Sequence, residues 1–546
     1  MSAQRGNNID ARKLQLALYA ISNLYVDSTS ETKLVEDAIV GMLEKLDPHS
    51  TYTDPEETKE MTEPLQGNFD GIGIQFNMLT DTLYVIQVIP GGPSEKVGLM
   101  AGDRIIMVDD TLIAGVKMKN TDVMKRLRGP KNTEVRVKVL RGGVPDLIEF
   151  KITRGKIPVY SLDAAYMADK TTGYIKLNRF AASSADEFRE ALEKLKKQGM
   201  KNLILDLQGN GGGYLNIAID LADEFLGKDK LIVYTEGNKQ PREEAKSSAR
   251  GGFEEGRLVV LVDETSASAS EILSGAVQDW DRGVVVGRRT FGKGLVQKPI
   301  PMPDGSMIRL TVARYYTPTG RSIQKPYVNG NQEQYNHDLI DRYNRGELMS
   351  ADSIHFPDSM KYNTLETKRI VYGGGGIMPD IFIPRDTSGV TSYFSNVVNS
   401  GMLNLYALEY SDRNYDKLAS FKTYQDLHKY LQQQPLLSDF TNYAAAKGIK
   451  KRPHLINISG KLIEKQIQAY IVRNFFDEAG FYPIFQNDDI TLKRAVKVLN
   501  EGKSFPVLEN KNNTPNGIAQ SQTNVSRGYG FLKEIIYEDY IAGSLC

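Results

Sequence analysis

Alternating strand and helix patterns over residues 156–389 predict an α/β core with a substantially parallel sheet. Two further observations make the whole a multidomain α/β and α+β chain. A run of short, glycine-punctuated strands precedes the core, and helical periodicity fills both ends. At 546 residues the chain exceeds one compact core, and at roughly 100–200 residues per domain three or four units are expected. The pattern divides it into a helical region 1–64, a strand-rich domain 65–155, the α/β core 156–389 and a mostly helical region 390–546.

Near the start, LQLALYAISNLYV and TKLVEDAIVGMLEKL place apolar residues three and four apart, so residues 10–64 read as helical, and two prolines in LDPHSTYTDPEE end the second run. Helices this short hold no core of their own; a neighbouring domain or a second chain must cover them. Next come GIGIQF, TLYVIQVI, DRIIMVDDTLI and EVRVKVLR, with one helical piece at TDVMKRLR, ending near Arg154 before Pro158 interrupts the pattern.

The core then runs strand TGYIKL, helix SADEFREALEKLKKQG, strand NLILDL, a glycine loop, helix NIAIDLADEFL, strand RLVVLVD and helix SEILSGAVQDW. The rhythm dissolves at RLTVARYYTPTG and a polar insertion near 325–368, and closes on GGGGIMPDIFIP. Beyond 390 the helical segments carry no legible motif, and the Asn-, Gln- and Ser-rich stretch 503–527 reads as a flexible loop.

Composition narrows the function. Lys plus Arg equals Asp plus Glu at 68 each, so no overall field draws the chain to nucleic acid or an acidic membrane. The single cysteine, Cys546, excludes an internal disulfide and leaves the redox compartment open. No run of 18 apolar residues is present to span a membrane as a helix, and the opening MSAQRGNNIDARKLQL lacks the apolar stretch of a signal peptide. The expectation is a cytoplasmic protein, or one whose export segment has been removed. No motif calls for a cofactor or a metal ion.

Three features of the core converge on chemistry. In LILDLQGNGGGYL a buried strand runs into a glycine loop, which lets a ligand approach exposed backbone N–H groups; GxGxxG and a following Lys-Ser/Thr pair are both missing, so an oxyanion loop or a plain tight turn fits better than a phosphate cradle. In VDETSASASEILSG a serine cluster meets a helix start. Serines there serve as caps, with Glu271 placed to close a capping box on Ser268, yet the same helix N-terminus would favour a nucleophile. In VVVGRRTFGKGLVQKPI, Lys293 stands between two glycines. Such a lysine is ordinarily a solvated charge, but burial that lowers its pKa would make it a general base. None of the five histidines, His49, His337, His355, His428 and His454, falls within 67–323, which favours a Ser-Lys pair over Ser-His without excluding a spatial neighbour.

TSASASEILSGAVQDWDRGVVVGRRTFGKGLVQ, with LDLQGNGGGYL, MPDGSMIRLTVARYYTPTGRSIQ and GIMPDIFIP, resembles the carboxyl-terminal processing (tail-specific) proteases over roughly residues 30–385. The resemblance implies a serine endopeptidase on a crotonase-like/ClpP-like α/β core, with Ser268 as nucleophile, Lys293 as base 25 residues later and Gln297 assisting. Ala269 and the glycine loop, Gly212 first and Gly213 next, would hold the oxyanion. Ser266 and Ser270 become turn and helix-start hydrogen bonders. This chain departs from the family pattern at Gln208, where arginine is usual, and at Gly211, where proline or serine is common.

NFDGIGIQF followed by IPGGPSEKVGLMAGDRIIMVDD looks like a PDZ domain. Ile72, Gly73 and Ile74 would then offer N–H groups to a free C-terminal carboxylate while an extended peptide adds to the sheet edge, with TDVMKRLR walling the groove. The resemblance further implies substrates with accessible C-termini, a domain movement that aligns Lys293 with Ser268, and a location in the periplasm or cell envelope, while the helical character of both ends points to packing between protomers in a homodimer. An activating adaptor stays open. Two other functions compete: a catalytically silent PDZ scaffold, which would be expected to have lost Ser268 or Lys293, and a crotonase-type acyl-CoA enzyme, which leaves FGKG and the PDZ segment unexplained.

Overall fold

Runs in which every side chain is apolar, such as Leu258–Val262, offer no face to water and settle in the middle of a sheet covered on both sides. In the computed structural model, which describes residues 3–501 except Thr80, this strand lies in a six-stranded sheet. The order is Leu162–Met167, Thr172–Leu177, Asn202–Asp206, Leu258–Val262, Val284–Gly287 and Ile381–Phe382. Only the first pair is antiparallel. The parallel sheet expected from the β/α alternation is present.

Helices Ser184–Lys197, Leu215–Asp223 and Ala269–Asp279 cover one face through Phe188, Leu192, Leu221, Ile272 and Leu273. The other face is closed from an unexpected direction. Helix Ile490–Asn500, from the C-terminal region, lays Leu492, Ala495, Val498 and Leu499 on Ile204, Leu261 and Val286. The C-terminal region therefore completes the core of the α/β domain as well as folding around its own cluster of Leu405, Tyr406, Phe440, Ile467 and Ile471.

Where the β/α rhythm dissolves, a second, antiparallel sheet of five strands takes over. Its centre is Met307–Tyr316, flanked by Leu295–Pro301 on one side and by Thr51–Thr53 and Leu231–Gly237 on the other, with Gln240–Lys246 at the edge. The strand Thr51–Thr53 interrupts the helical reading of residues 10–64: helices run over Ala3–Leu24, Glu31–Leu43 and Pro55–Gln66. Asp47 accepts hydrogen bonds from the N–H groups of His49 and Ser50 and turns the chain after the second helix, so the following Thr-Tyr-Thr, of strand-favouring residue types, pairs with Met307–Arg309.

The strand-rich domain is a six-stranded sheet with helix Asn120–Leu127 packed on it through Val123 and Leu127. It joins the core through a two-strand neck, Asn68–Gly71 with Gly155–Pro158, braced by ion pairs Arg128–Glu63 (2.7 Å) and Lys125–Glu56 (2.9 Å). The first helix leaves Leu14, Leu16, Tyr19 and Leu24 exposed. Among the described residues no helix is long and apolar enough to cross a membrane. The stretch 503–527 and Cys546 lie outside the described residues.

Candidate active site

The serine turn sits where strand Leu258–Val262 ends above the glycine loop. Asp263 gathers the turn by accepting from Thr265 Oγ1 (2.7 Å), Thr265 N (3.0 Å), Ser266 N (3.0 Å) and, across the loop, Gly209 N (3.1 Å). Burial pushes its carboxyl up, but the Arg288 charge and these donors outweigh it and hold it below the usual carboxylate range. Ser266 Oγ donates to Leu207 O (2.8 Å) and Ser270 Oγ to Asn210 O (2.9 Å). Both flanking hydroxyls are therefore buried stitches between turn and loop.

Ser268 differs from both. It is half-buried, and its backbone stands at φ 57°, ψ −111°, a conformation that costs a side-chain-bearing residue about 1–3 kcal/mol. The strain lifts the hydroxyl onto the N-terminus of helix Ala269–Asp279, a strand-to-helix geometry suited to a nucleophile.

Glu271 connects this turn to the lysine loop. Its buried Oε2 accepts from Ser268 N (2.8 Å) and from Lys293 N (2.9 Å), while Oε1 accepts from Thr290 Oγ1 (2.5 Å) and Gly292 N (2.8 Å). The Tyr315 hydroxyl adds a second tie, lying against the Lys293 carbonyl and 3.1 Å from that of Ser268. Burial pushes the Glu271 carboxyl up to about 7, the four donors opposing it. The backbones of Ser268 and Lys293 thus hang from one carboxylate.

Lys293 Nζ donates to Gln297 Oε1 at 2.9 Å. A bulge between Val296 and Gln297 re-aims Gln297 within strand Leu295–Pro301, its Nε2 donates to the carbonyl of His49, and Arg309 Nη2 reaches Oε1 at 3.3 Å. Burial, the largest influence, and the Arg309 charge bring the Lys293 amine down to about 8, against Glu271 and Asp47. At pH 7 about a tenth of it is then uncharged. Among the described residues no hydrogen bond joins this amine to Ser268 Oγ; it is held by Gln297.

His49 is the spatial neighbour that sequence distance left possible. Its ring faces Tyr335 (Nε2 to Oη 2.8 Å), and burial, with the charges of Lys293, Lys325 and Arg309, draws its pKa down to about 2. The imidazole stays neutral and bonded to Tyr335; its carbonyl is what serves the site. No side-chain motif marks a backbone carbonyl, so the sequence carried no signal for it.

The N–H groups of the glycine loop and the serine turn are not all engaged alike. Gly212 N donates to Asn210 Oδ1 at 2.9 Å, an Asx turn, so this N–H is occupied. Among the described residues no acceptor takes the N–H of Gly213 or of Ala269. Gly212 matters instead for the room it leaves: a β-carbon there would stand 2.9 Å from Ser268 Cβ and 3.1 Å from Ala269 N. At Gln208, where the family usually has arginine, the loop is held through the backbone, with Lys176 Nζ donating to Gln208 O (3.0 Å) and Gln208 N to Asp206 Oδ1 (2.8 Å).

Ile72, Gly73 and Ile74 lie apart from this cluster, in the strand-rich domain. Ile72 is 3% exposed and points into that domain's core, its carbonyl accepting from Ser94 N. Gly73 has φ 79°, with Ile157 Cδ1 and Pro93 Cδ within 3.3 Å of the position of a β-carbon. The turn they form opens onto strand Ile74–Leu79, opposite strand Thr82–Val88.

Family comparisons agree with this architecture. Peptidase family S41 matches residues 171–333, the PDZ domain matches 71–152, the activating protease CtpB N-terminal domain matches 1–58, and a family of unknown function matches 393–477. The carboxy-terminal-processing protease of Bartonella bacilliformis is 38% identical over 306 residues, 55% of this chain and 69% of that protein. The carboxy-terminal processing proteases CtpB and CtpA of Bacillus subtilis are 36% and 35% identical over 57% of this chain each, and 65% and 66% of their own lengths. The chain spans about two thirds of the length of these relatives. Fold and site define a serine-type peptidase carrying a PDZ domain. The chain belongs to the carboxy-terminal processing proteases of peptidase family S41.

Proposed function

We propose that this chain cleaves proteins with accessible, apolar C-termini by a Ser268–Lys293 dyad assisted by Gln297, on a crotonase-like/ClpP-like core. Gln297 accepts one N–H of the uncharged amine and so turns its lone pair, which takes the proton of Ser268 Oγ as that oxygen attacks the scissile carbonyl. The N–H groups of Ala269 and Gly213 receive the oxyanion; one such donor is worth about 3–4 kcal/mol. The resulting ammonium of Lys293 protonates the leaving amine, the C–N bond breaks, and water admitted to the acyl-enzyme is activated by the same amine.

PDZ binding of the tail at Ile72, Gly73 and Ile74 moves that domain on its two-strand neck and brings the amine, still bonded to Gln297, within reach of Ser268 Oγ. The exposed apolar residues of helix Ala3–Leu24 pair two protomers, and the enzyme works in the cell envelope. A silent scaffold or an acyl-CoA enzyme would have no use for a carboxylate that clamps Ser268 N and Lys293 N together. That clamp is the observation that carries the proposal.

The test mixes purified protein with a denatured substrate, with and without an apolar tail, and with a fluorophosphonate probe. Labelling and tail-dependent cleavage are expected in the parent and neither in Ser268→Ala. Undiminished labelling of Ser268→Ala, or cleavage by Lys293→Arg at the parental rate, would contradict the dyad.

A further inference from the structure

The glycine loop leaves strand Asn202–Asp206 beside Asp206, a carboxylate with almost no exposure in an otherwise apolar layer. Asp206 Oδ1 accepts from Gln208 N (2.8 Å), and Oδ2 accepts from Tyr174 Oη (2.5 Å) with Lys176 Nζ at 3.5 Å. Lys176 completes the hold by donating to Gln208 O. Both backbone groups of Gln208 are therefore fastened to one buried cluster.

That cluster ends in the C-terminal domain. Gln486, the cap of helix Pro453–Phe485, donates from Nε2 to Tyr174 Oη (2.5 Å) and accepts at Oε1 from Tyr166 Oη (2.9 Å). With its oxygen taken by Gln486, the Tyr174 hydroxyl must point its proton at Asp206. A polar chain buried among Ile204, Leu261 and Val286 is unfavourable unless every member is bonded, and once complete it holds one arrangement.

The same helix is also held by the PDZ domain. It breaks at Phe476 and Asp477, where Asp477 stands at φ 51° and accepts from Gln87 Nε2 at 2.9 Å. From there to Gln486 is nine residues, roughly 13 Å of helix.

We propose that Gln486 is a positioning residue for the oxyanion loop, acting through Tyr174 and Asp206 on Gln208, so that the C-terminal domain sets the acylation rate. The inference rests on the Ser-Lys peptidase reading. A domain that only buttressed the fold would influence melting temperature and leave the chemistry alone.

The full-length chain and the variants Gln486→Leu, Tyr174→Phe and the double variant are compared for kcat, KM, fluorophosphonate inactivation rate and Tm. Gln486→Leu is expected to lower kcat and the inactivation rate about tenfold at unchanged KM, part of what losing an oxyanion donor costs. Tyr174→Phe should do the same, and the double variant should lose no more than either. Parental kcat in Gln486→Leu, or losses that multiply, would overturn the inference while leaving the peptidase reading intact. If Gln486→Leu fails to fold, Tyr174→Phe decides alone, parental kcat overturning the inference. A parent that shows no Ser268-dependent hydrolysis would overturn both.

Discussion

The parallel sheet and the antiparallel sheet each supply half of the proposed catalytic pair, and they hold it differently. The nucleophile half is local: Ser266, Asp263, Ser270 and Asn210 bind one another across two adjacent loops, and every residue of helix Ala269–Asp279 is buried. The base half is assembled from afar. Gln297 is placed by the carbonyl of His49, which Asp47 and Ser50 fasten to Thr311 more than 250 residues away in sequence. A serine preset by its neighbours faces an amine whose position depends on the N-terminal segment, so the base is the half open to adjustment.

The strongest way to break this contrast is to remove either centre. Ser268→Ala and Lys293→Arg should each lower kcat/KM by about 10⁴-fold or more, because arginine stays charged at any working pH. Lys293→Met should also separate activity from stability. Its amine titrates near 8 when folded and at 10.5 otherwise, so a buried ammonium weighs against the folded state below about pH 8, and that penalty fades as pH rises through 10.5. The inactive variant should therefore melt above the parent at pH 7, an advantage that shrinks toward pH 10.5.

Glu271 belongs to both halves and tests the seam. Four donors converge on it, so the isosteric Glu271→Gln turns an NH₂ toward N–H groups; we expect a loss of about 2–4 kcal/mol in urea unfolding and about a hundredfold in kcat. Gln297→Ala should cost less, about tenfold in kcat, with little change in unfolding free energy. The smallest effect belongs to the outermost element. Leu24→Asp, at a position 79% exposed, should leave the kcat of each protomer near parental while sedimentation velocity shows the proposed dimer replaced by monomer.

The same contrast explains what the sequence disclosed. Fully apolar strands such as Leu258–Val262 and the serine and glycine motifs are contiguous signals, so the parallel sheet and the loops that carry Ser268 and Lys293 were legible. Strand Gln240–Lys246 is polar and largely exposed, and Thr51–Thr53 has three residues, so the antiparallel sheet gave no alternation to read. The role of His49 lies in a carbonyl, which every residue has. The turn of the Gly212 N–H toward Asn210 was open to reading, since an Asn two residues ahead is an Asx-turn signal. Gln486 had no such signal, because its partners lie more than 300 positions earlier.

The most direct measurement is the rate of Ser268 acylation by the fluorophosphonate probe from pH 6 to 10, in the parent and in Lys293→Arg. An uncharged lysine acting as base requires a parental rate that rises with a midpoint near 8, levels above it, and collapses in the variant. A flat profile, or the same curve in both proteins, would contradict it.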